Sequence, residues 1–537
     1  MFSIAIFIGI YSYLIFLLGL FGLLYKQTII FVTVLYFVCI YFLIQRSSVK
    51  KDIKSVHISL PKRKLSIIFL SLLAIQALIN FAGAISPELA FDALWYHLTL
   101  PKIYLANHSL VHIPGNLMYY SDMPKLTEML YTVSFALHSE TLAKLIHFVF
   151  GILCCVALYK FSRRFFSEIF SLMVVVIFYL NLVVDWESTT AYIDLSRTFF
   201  EILALWAFVL WQKNKEKKWL IESAVMTGLA ISTKLLSLGS LGIFIGLIFY
   251  EYMIQKKRNV LKVFMNISLY LFFALLIPLP WFVFSYIHTG NPMYPFFTNL
   301  YPIQVNSHLL NPVYLIKDFW NLFIRADDPI SPLYIIYLPI AFYFYKKFSQ
   351  ESRLIFLYAA LALGVWYITP RTGGGRFILP YLPVLSLCLV FVIERIWKIK
   401  SYKYLCIILI FFVSSISIVY RGVSTIKCIP YLIGKETKSQ FLTKYLNFNF
   451  GDFYDTDGYF NKKITSQDVV LLYGFHNLYY VKFPFVDRSW VKKGQKFNYI
   501  AVQDQEIPER FSYWQQVYYN PTTHVKLYKL GDNTWMY

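Results

Sequence analysis

Apolar stretches of about twenty residues recur along the whole chain, and no other feature limits its folding as strongly, because a helix needs roughly that length to cross a hydrocarbon core of about 30 Å. Runs that reach or approach this length begin near Phe2, Thr28, Leu65, Thr141, Ile169, Leu195, Trp219, Leu236, Val263, Leu333, Leu354, Phe377 and Tyr404. The expectation is an all-α polytopic membrane protein with about thirteen transmembrane helices. Composition agrees: 58% of residues are hydrophobic, 15% are charged, and mean hydropathy is +0.55, values that a set of soluble domains does not reach. Met1 to Tyr25 has no basic leader and no small-residue cleavage motif, so it is expected to be a retained first helix. The six cysteines show no ligand spacing and no disulfide framework.

A formal charge of +21 would suggest nucleic acid in a soluble protein, but here the basic residues lie between the apolar runs. Arg46 to Lys64, Arg163-Arg164, Lys213 to Lys218, Lys256 to Lys262, Lys346 to Arg353 and Arg395 to Lys403 join alternate runs. The positive-inside rule assigns them to the cytoplasm and leaves no case for a nucleic-acid partner. The other connections are aromatic and poor in Lys and Arg: residues 85–140, 185–194, 288–332, 370–376 and everything after Tyr420. These are expected outside. Residues 1–421 then form the membrane domain, with long outer loops at 85–140 and 288–332, and residues 422–537 form a small extracytoplasmic α/β domain. Val469 to Gly474, Asn498 to Gln503 and His524 to Leu530 read as strands of that domain. Asp455-Thr456-Asp457-Gly458 lacks most ligand positions of a calcium loop and reads as a polar turn.

Acids gather at the outer ends of the runs. After Ser86-Pro87, a helix start, and before Pro101, its stop, Asp92, Trp95, Tyr96 and Thr99 fall on one helical face. Such a face suits a sugar, and it equally suits an interfacial amphipathic helix. Asp122 stands in Ser121-Asp122-Met123-Pro124-Lys125. Asp194 opens a membrane run, where it serves either function or a structural pair with Arg197. Outer basic residues are few: Lys102, Lys125, Lys234, Lys317, Arg325, Arg371 and Arg376. Arg371 and Arg376 flank Gly373 to Gly375, a turn with free backbone N–H groups and two guanidiniums suited to phosphate. A tight turn with an arginine reaching to lipid headgroups is the plainer alternative.

In order, the segments FDALWYHLTLPKIYL, SDMPKLTEML, AYIDLSRTFFE, STKLL, HTGNPMYPFF and GGGRFILPYLP resemble the GT-C glycosyltransferases, in the branch similar to protein O-mannosyltransferases and the lipid A aminoarabinose transferase. The resemblance covers about Leu65 to Pro383. It implies a sugar donor on a polyprenyl phosphate and an envelope glycan, lipid or protein as acceptor. The site would face outward from the cytoplasmic membrane. By motif match it implies Asp92 as the catalytic carboxylate, with Asp122 and Asp194 as ligands of a divalent metal ion or of sugar hydroxyls. Ala93 follows Asp92 where relatives commonly carry a second acid. For the donor phosphate, Arg376, Lys102, Lys234 and Arg371 are the candidate cations. Inverting displacement with Asp92 as base is the expected chemistry. A lipid-linked glycan flippase or other transporter is the alternative; it would place ionisable residues deep within spans.

Overall fold

The computed structural model describes residues 1–46, 63–255, 259–300, 311–324, 329–369, 374–529 and 535–537. Helices start at or within a few residues of all thirteen expected places. Eight of them are long and apolar enough to cross a membrane among the described residues, or nine if the pair Val260–Leu276 and Leu279–Thr289, bent by 64°, counts as one span. The bend falls at Pro278 and Pro280, where a proline ring removes a helical hydrogen bond. The expected figure of thirteen joined short and long helices alike. Glu168–Tyr179 has only 12 residues, Lys217–Thr233 has 17, and Leu333–Tyr337 is cut from Ile340–Phe344 at Pro339.

One helix organises the bundle. Asp194–Asn214 is buried on almost every face and packs on Glu140–Ser162 and Lys217–Thr233. It carries Asp194, Arg197 and Glu201 in its first two turns, charges that a lipid-facing helix could not hold. Arg197 Nε donates to Glu201 Oε1 at 3.3 Å, and Ser240 donates to the same oxygen at 2.7 Å.

The first outer loop departs from the expected helix. Residues 87–90 are not helical, because the Glu88 carboxylate accepts from the Leu89 and Ala90 N–H groups. Ala93–His97 is a π-helical turn, and the helix that follows, Thr99–Ala106, contains Pro101 in its first turn instead of ending there. First-turn N–H groups have no intrahelical partner, so Pro101 costs the helix nothing. Thr99 turns its hydroxyl back to the Leu94 carbonyl, so it does not extend the polar face.

The last membrane helix, Lys400–Ile426, runs on past Gly422. Beyond it lies a five-stranded sheet in the order β2-β1-β4-β6-β5, with β1 Val470–Tyr473, β2 Phe485–Asp487, β4 Tyr499–Gln503, β5 Gln515–Asn520 and β6 Val525–Lys529, while β3 Lys496–Phe497 pairs antiparallel with β7 Trp535–Met536 in a separate ladder. The strands β2, β1 and β4 are parallel; β6 and β5 add antiparallel at one edge. The three strands read from sequence are β1, β4 and β6, of which β1 and β4 are buried throughout. Asp455 and Asp457 accept backbone N–H groups of the short helix Tyr459–Lys463, as a polar turn does. The first outer loop docks on this unit: Gly115, at φ +91°, brings its Cα so close to the Ser489 carbonyl that a Cβ would stand 1.9 Å from the oxygen.

Candidate active site

Four segments far apart in sequence meet at one end of the bundle. The π-helical turn supplies Asp92, the start of the central helix Asp194, the residue after Lys217–Thr233 Lys234, and the short 3₁₀ turn Gly375–Phe377 Arg376. Arg376 Nη1 lies 2.6 Å from Asp92 Oδ2, and its Nε lies 3.2 Å from Asp194 Oδ2 and 3.5 Å from Glu187 Oε1. Lys234 Nζ donates to Asp194 Oδ1 at 2.6 Å. The guanidinium sits over the Tyr192 ring at 4.3 Å, and Tyr192 Oη accepts from the Asp92 backbone N–H. Asp194 therefore pairs with Lys234 and Arg376, while Arg197 turns to Glu201; the structural pair considered from sequence does not form.

The two aspartates differ in access. The Asp92 side chain keeps 18% exposure and Asp194 only 1%, so a ligand can reach the first and not the second. Burial raises the Asp92 carboxyl, but the Arg376 charge, helped by His97 and by hydrogen bonds from Arg376 and Tyr96, outweighs it and holds the group below its ordinary value. Tyr96 Oη donates to Asp92 Oδ2 at 3.0 Å. Its ring stacks on Tyr120 at 3.7 Å, and Trp95 meets Tyr120 edge-on. The aromatic residues read from sequence do surround the carboxylate.

A cavity of about 310 Å³ opens here, lined by Asp92, Tyr96, Lys125, Glu128, Lys234 and Arg376 among others. Lys125 and Glu128 are additions to the site. Lys125 is buried, and its ammonium makes no ion pair among the described residues; burial pushes its pKa down, against Glu128 and Asp122. An unpaired buried cation beside Lys234 and Arg376 is a ready seat for an anion. Glu128 is tied to His97 Nδ1 at 2.9 Å, leaving its Oε2 without a hydrogen-bond partner in the structure. Burial pushes His97 down, against the Glu128 hydrogen bond and charge that raise it. The spacing of Glu128 three residues after Lys125, on the face of Leu126–Ala136 that points inward, was the available signal.

The remaining expected residues go elsewhere. Lys102 is not in this cavity. Its Nζ donates to the carbonyls of Tyr479 and Val481, fastening the first loop to the C-terminal unit, and burial, with nearby Lys482, pushes it down to about 8. It lines a separate cleft of about 1060 Å³ between that loop and the C-terminal unit, together with His112, Lys482, Lys492 and Lys493. Arg371 lies outside the described residues, as does Arg325. Asp122 is fully buried: His112 Nδ1 reaches both its oxygens, at 2.8 and 3.0 Å, and Ser121 donates to Oδ2 at 2.7 Å. His288 Nδ1 stands 3.9 Å away, its ring parallel to His112.

Among the described residues no group of three or more His, Cys, Asp or Glu is set at metal-binding geometry. Asp122, His112 and His288 have the donor types that zinc takes, but they are spaced as hydrogen-bond partners, and His288 Nδ1 is hydrogen-bonded to the Phe284 carbonyl at 2.8 Å. Asp194 does not fit a metal, since both its oxygens are engaged by cations.

Residues 122–284 match the family described as dolichyl-phosphate-mannose-protein mannosyltransferase. A comparison with curated protein sequences returns no match. Among solved structures the chain is similar to ArnT from Cupriavidus metallidurans bound to undecaprenyl phosphate, with 14% identity, 86% of this chain and 97% of that chain covered, and a TM-score of 0.56. The apo state of that enzyme gives 12% identity, the same coverage and a TM-score of 0.55. An oligosaccharyltransferase from Archaeoglobus fulgidus, in complex with Zn and sulfate, gives 12% identity, 87% and 74% coverage, and a TM-score of 0.51. At these identities the structural likeness is one of fold. The matched segment is under a third of the chain, so segment and fold together make the chain similar to the O-mannosyltransferase family and to ArnT in architecture.

Proposed function

We propose that this protein moves a sugar from a polyprenyl-phosphate donor to an acceptor hydroxyl on the outer face of the cytoplasmic membrane, with inversion. The observation that carries this is the pairing of an accessible carboxylate, Asp92, with three cations around one cavity: Arg376, Lys234 and Lys125. The carboxylate suits proton removal, and the cations suit a phosphate leaving group. In the resting site Asp92 is a weak base, because Arg376 holds it ionised. An arriving donor phosphate competes for that guanidinium and frees the carboxylate. The acceptor oxygen then bonds to the anomeric carbon as the bond from that carbon to the phosphate oxygen breaks; the hydroxyl proton passes to Asp92 and the electron pair stays on the phosphate.

The prenyl tail has a place to lie. An apolar groove of about 510 Å³ runs between Leu333–Tyr337, Gln350–Ile368 and Leu382–Ile396, and Arg376 sits on the connection between the last two helices. ArnT was solved with undecaprenyl phosphate, which supports a lipid carrier here. A divalent ion would be held by Asp122 with His112 and His288, and would supply a positive charge beside the cavity. The C-terminal unit, outside the membrane, bears on the acceptor, which is an envelope glycan, lipid or protein.

The test is transfer of a radiolabelled sugar from a prenyl phosphate by protein in lipid. Asp92→Asn should lose about 10²- to 10⁴-fold in turnover, as loss of a general base does, while donor binding persists. Turnover within about threefold of wild type would remove Asp92 from the mechanism.

A further inference from the structure

A second cavity, of about 290 Å³, lies apart from the site above, at the end of the bundle where the helix Lys400–Ile426 finishes. Three cations line it: Lys144, Arg421 and Lys427. Arg421 is 7% exposed and Lys144 2%. Arg421 Nη2 donates to Thr189 Oγ1 at 3.2 Å, and its Nε, buried, has no hydrogen-bond partner among the described residues. Lys144 gives its donors to the carbonyls of Gly83, Ser86 and Pro87, so its charge meets dipoles and no carboxylate.

The acids nearby are already committed. Glu88, the one acid in the lining, accepts from the Leu89 and Ala90 N–H groups with Oε1 and from the Ala191 N–H with Oε2. Asp185, one turn deeper, accepts from Ser417 and Asn80 and forms no ion pair with Arg421. Glu88 and Asp185 supply charge nearby, but among the described residues neither buried cation has a carboxylate in ion-pair contact, so its desolvation is only partly offset and a further anion is favoured.

We infer that this cavity binds a phosphate group, through Arg421 and Lys427 with the Lys144 charge behind them, as a second anion site distinct from the Asp92–Arg376 centre. The hydroxyls of Ser424 and Thr425, also in the lining, are added donors for a tetrahedral oxyanion, whereas those of Thr189 and Thr190 donate to the carbonyls of Trp186 and Glu187. Trp186, Phe441 and Tyr445 complete the wall, the aromatic company typical of the membrane interface, where phospholipid headgroups lie. Occupancy braces two loops at once. Residues 86–90 lead into Asp92 and residues 189–191 lead into Tyr192 and Asp194, and the Glu88–Ala191 bond already joins them.

The inference does not rest on the transferase reading, and binding tests it without turnover. Full-length protein in phosphatidylcholine nanodiscs is titrated with phosphatidylglycerol in one arm and inorganic phosphate in the other, followed by native mass spectrometry and thermal midpoint. Wild type should bind phosphate groups, and Arg421→Gln should raise the half-saturating amount about tenfold. Lys427→Gln, at the exposed rim where folding is not at risk, should weaken binding in the same direction. Saturation by the lipid alone identifies a headgroup as the ligand, and saturation by inorganic phosphate alone identifies the free ion; either supports the site. Retention of neither ligand by wild type, or wild-type binding by Lys427→Gln together with any Arg421→Gln protein that folds, would overturn it.

Discussion

Arg376 grips Asp92 and Asp194 at once, so its planar, many-pronged guanidinium matters as much as its charge. Arg376→Lys should therefore fail almost as badly as Arg376→Ala, in donor affinity as well as turnover, because one ammonium cannot span two carboxylates and a phosphate. Prenyl-phosphate binding and turnover of the two variants check this; a fully active lysine variant would reduce Arg376 to a headgroup contact. The same pair fixes a pH dependence. Asp92 is held below the ordinary carboxylate value, so it stays ionised through that range and is lost only as pH falls through the lowered value. The acid limb of kcat/KM is expected below the ordinary carboxylate range. Tyr96→Phe, which removes one hydrogen bond to the charged form, should move that limb upward. A limb near pH 6 in wild type would show that another group titrates. At this scale the sequence exposed Asp92, Asp194, Lys234 and Arg376, since a charge at the end of an apolar run is conspicuous. It showed Lys125 only as one of several outer lysines and did not single out His97, because their burial comes from segments packed over them.

At the scale of elements, the first outer loop is the piece that folding shapes most. Its π-helical turn follows from Glu88 binding the N–H groups of residues 89 and 90, which delays the helix to Phe91 and aims Asp92 at Arg376. A proline rule read along the sequence could not supply that, because the Glu88 carboxylate also takes an N–H from Ala191, about a hundred residues away. The loop further carries His112 and Asp122 to His288 at the end of Leu279–Thr289. If these three hold a metal, zinc added to the protein should raise its thermal midpoint, and Asp122→Asn or His288→Ala should abolish the rise. An equal rise in the variants would place the ion elsewhere, and Asp122 would pass to hydroxyl binding.

For the whole molecule, the Asp92–Arg376 cavity, the Arg421 cavity and the C-terminal unit share one end of the helical bundle. The reading that this end is outside is open to a direct check. A cysteine at exposed Ser512 should react with an impermeant thiol reagent in intact spheroplasts; labelling only after lysis would reverse the orientation and the site assignment with it. What the sequence determined by itself is the membrane class, the places where helices begin, three strands of the C-terminal unit and the side on which the acids gather. Each depends on a local property, a run of apolar residues or the charges flanking it, because lipid forces backbone groups to bond within their own segment. What only the tertiary structure decided is who pairs with whom. Arg376 meets Asp92 across 284 positions of chain, Lys102 leaves the site to hold the C-terminal unit, and helices too short or too charged for lipid are sheltered by their neighbours. Those choices follow from helix packing and from the cost of leaving a buried charge alone, neither of which is written in any single stretch of residues.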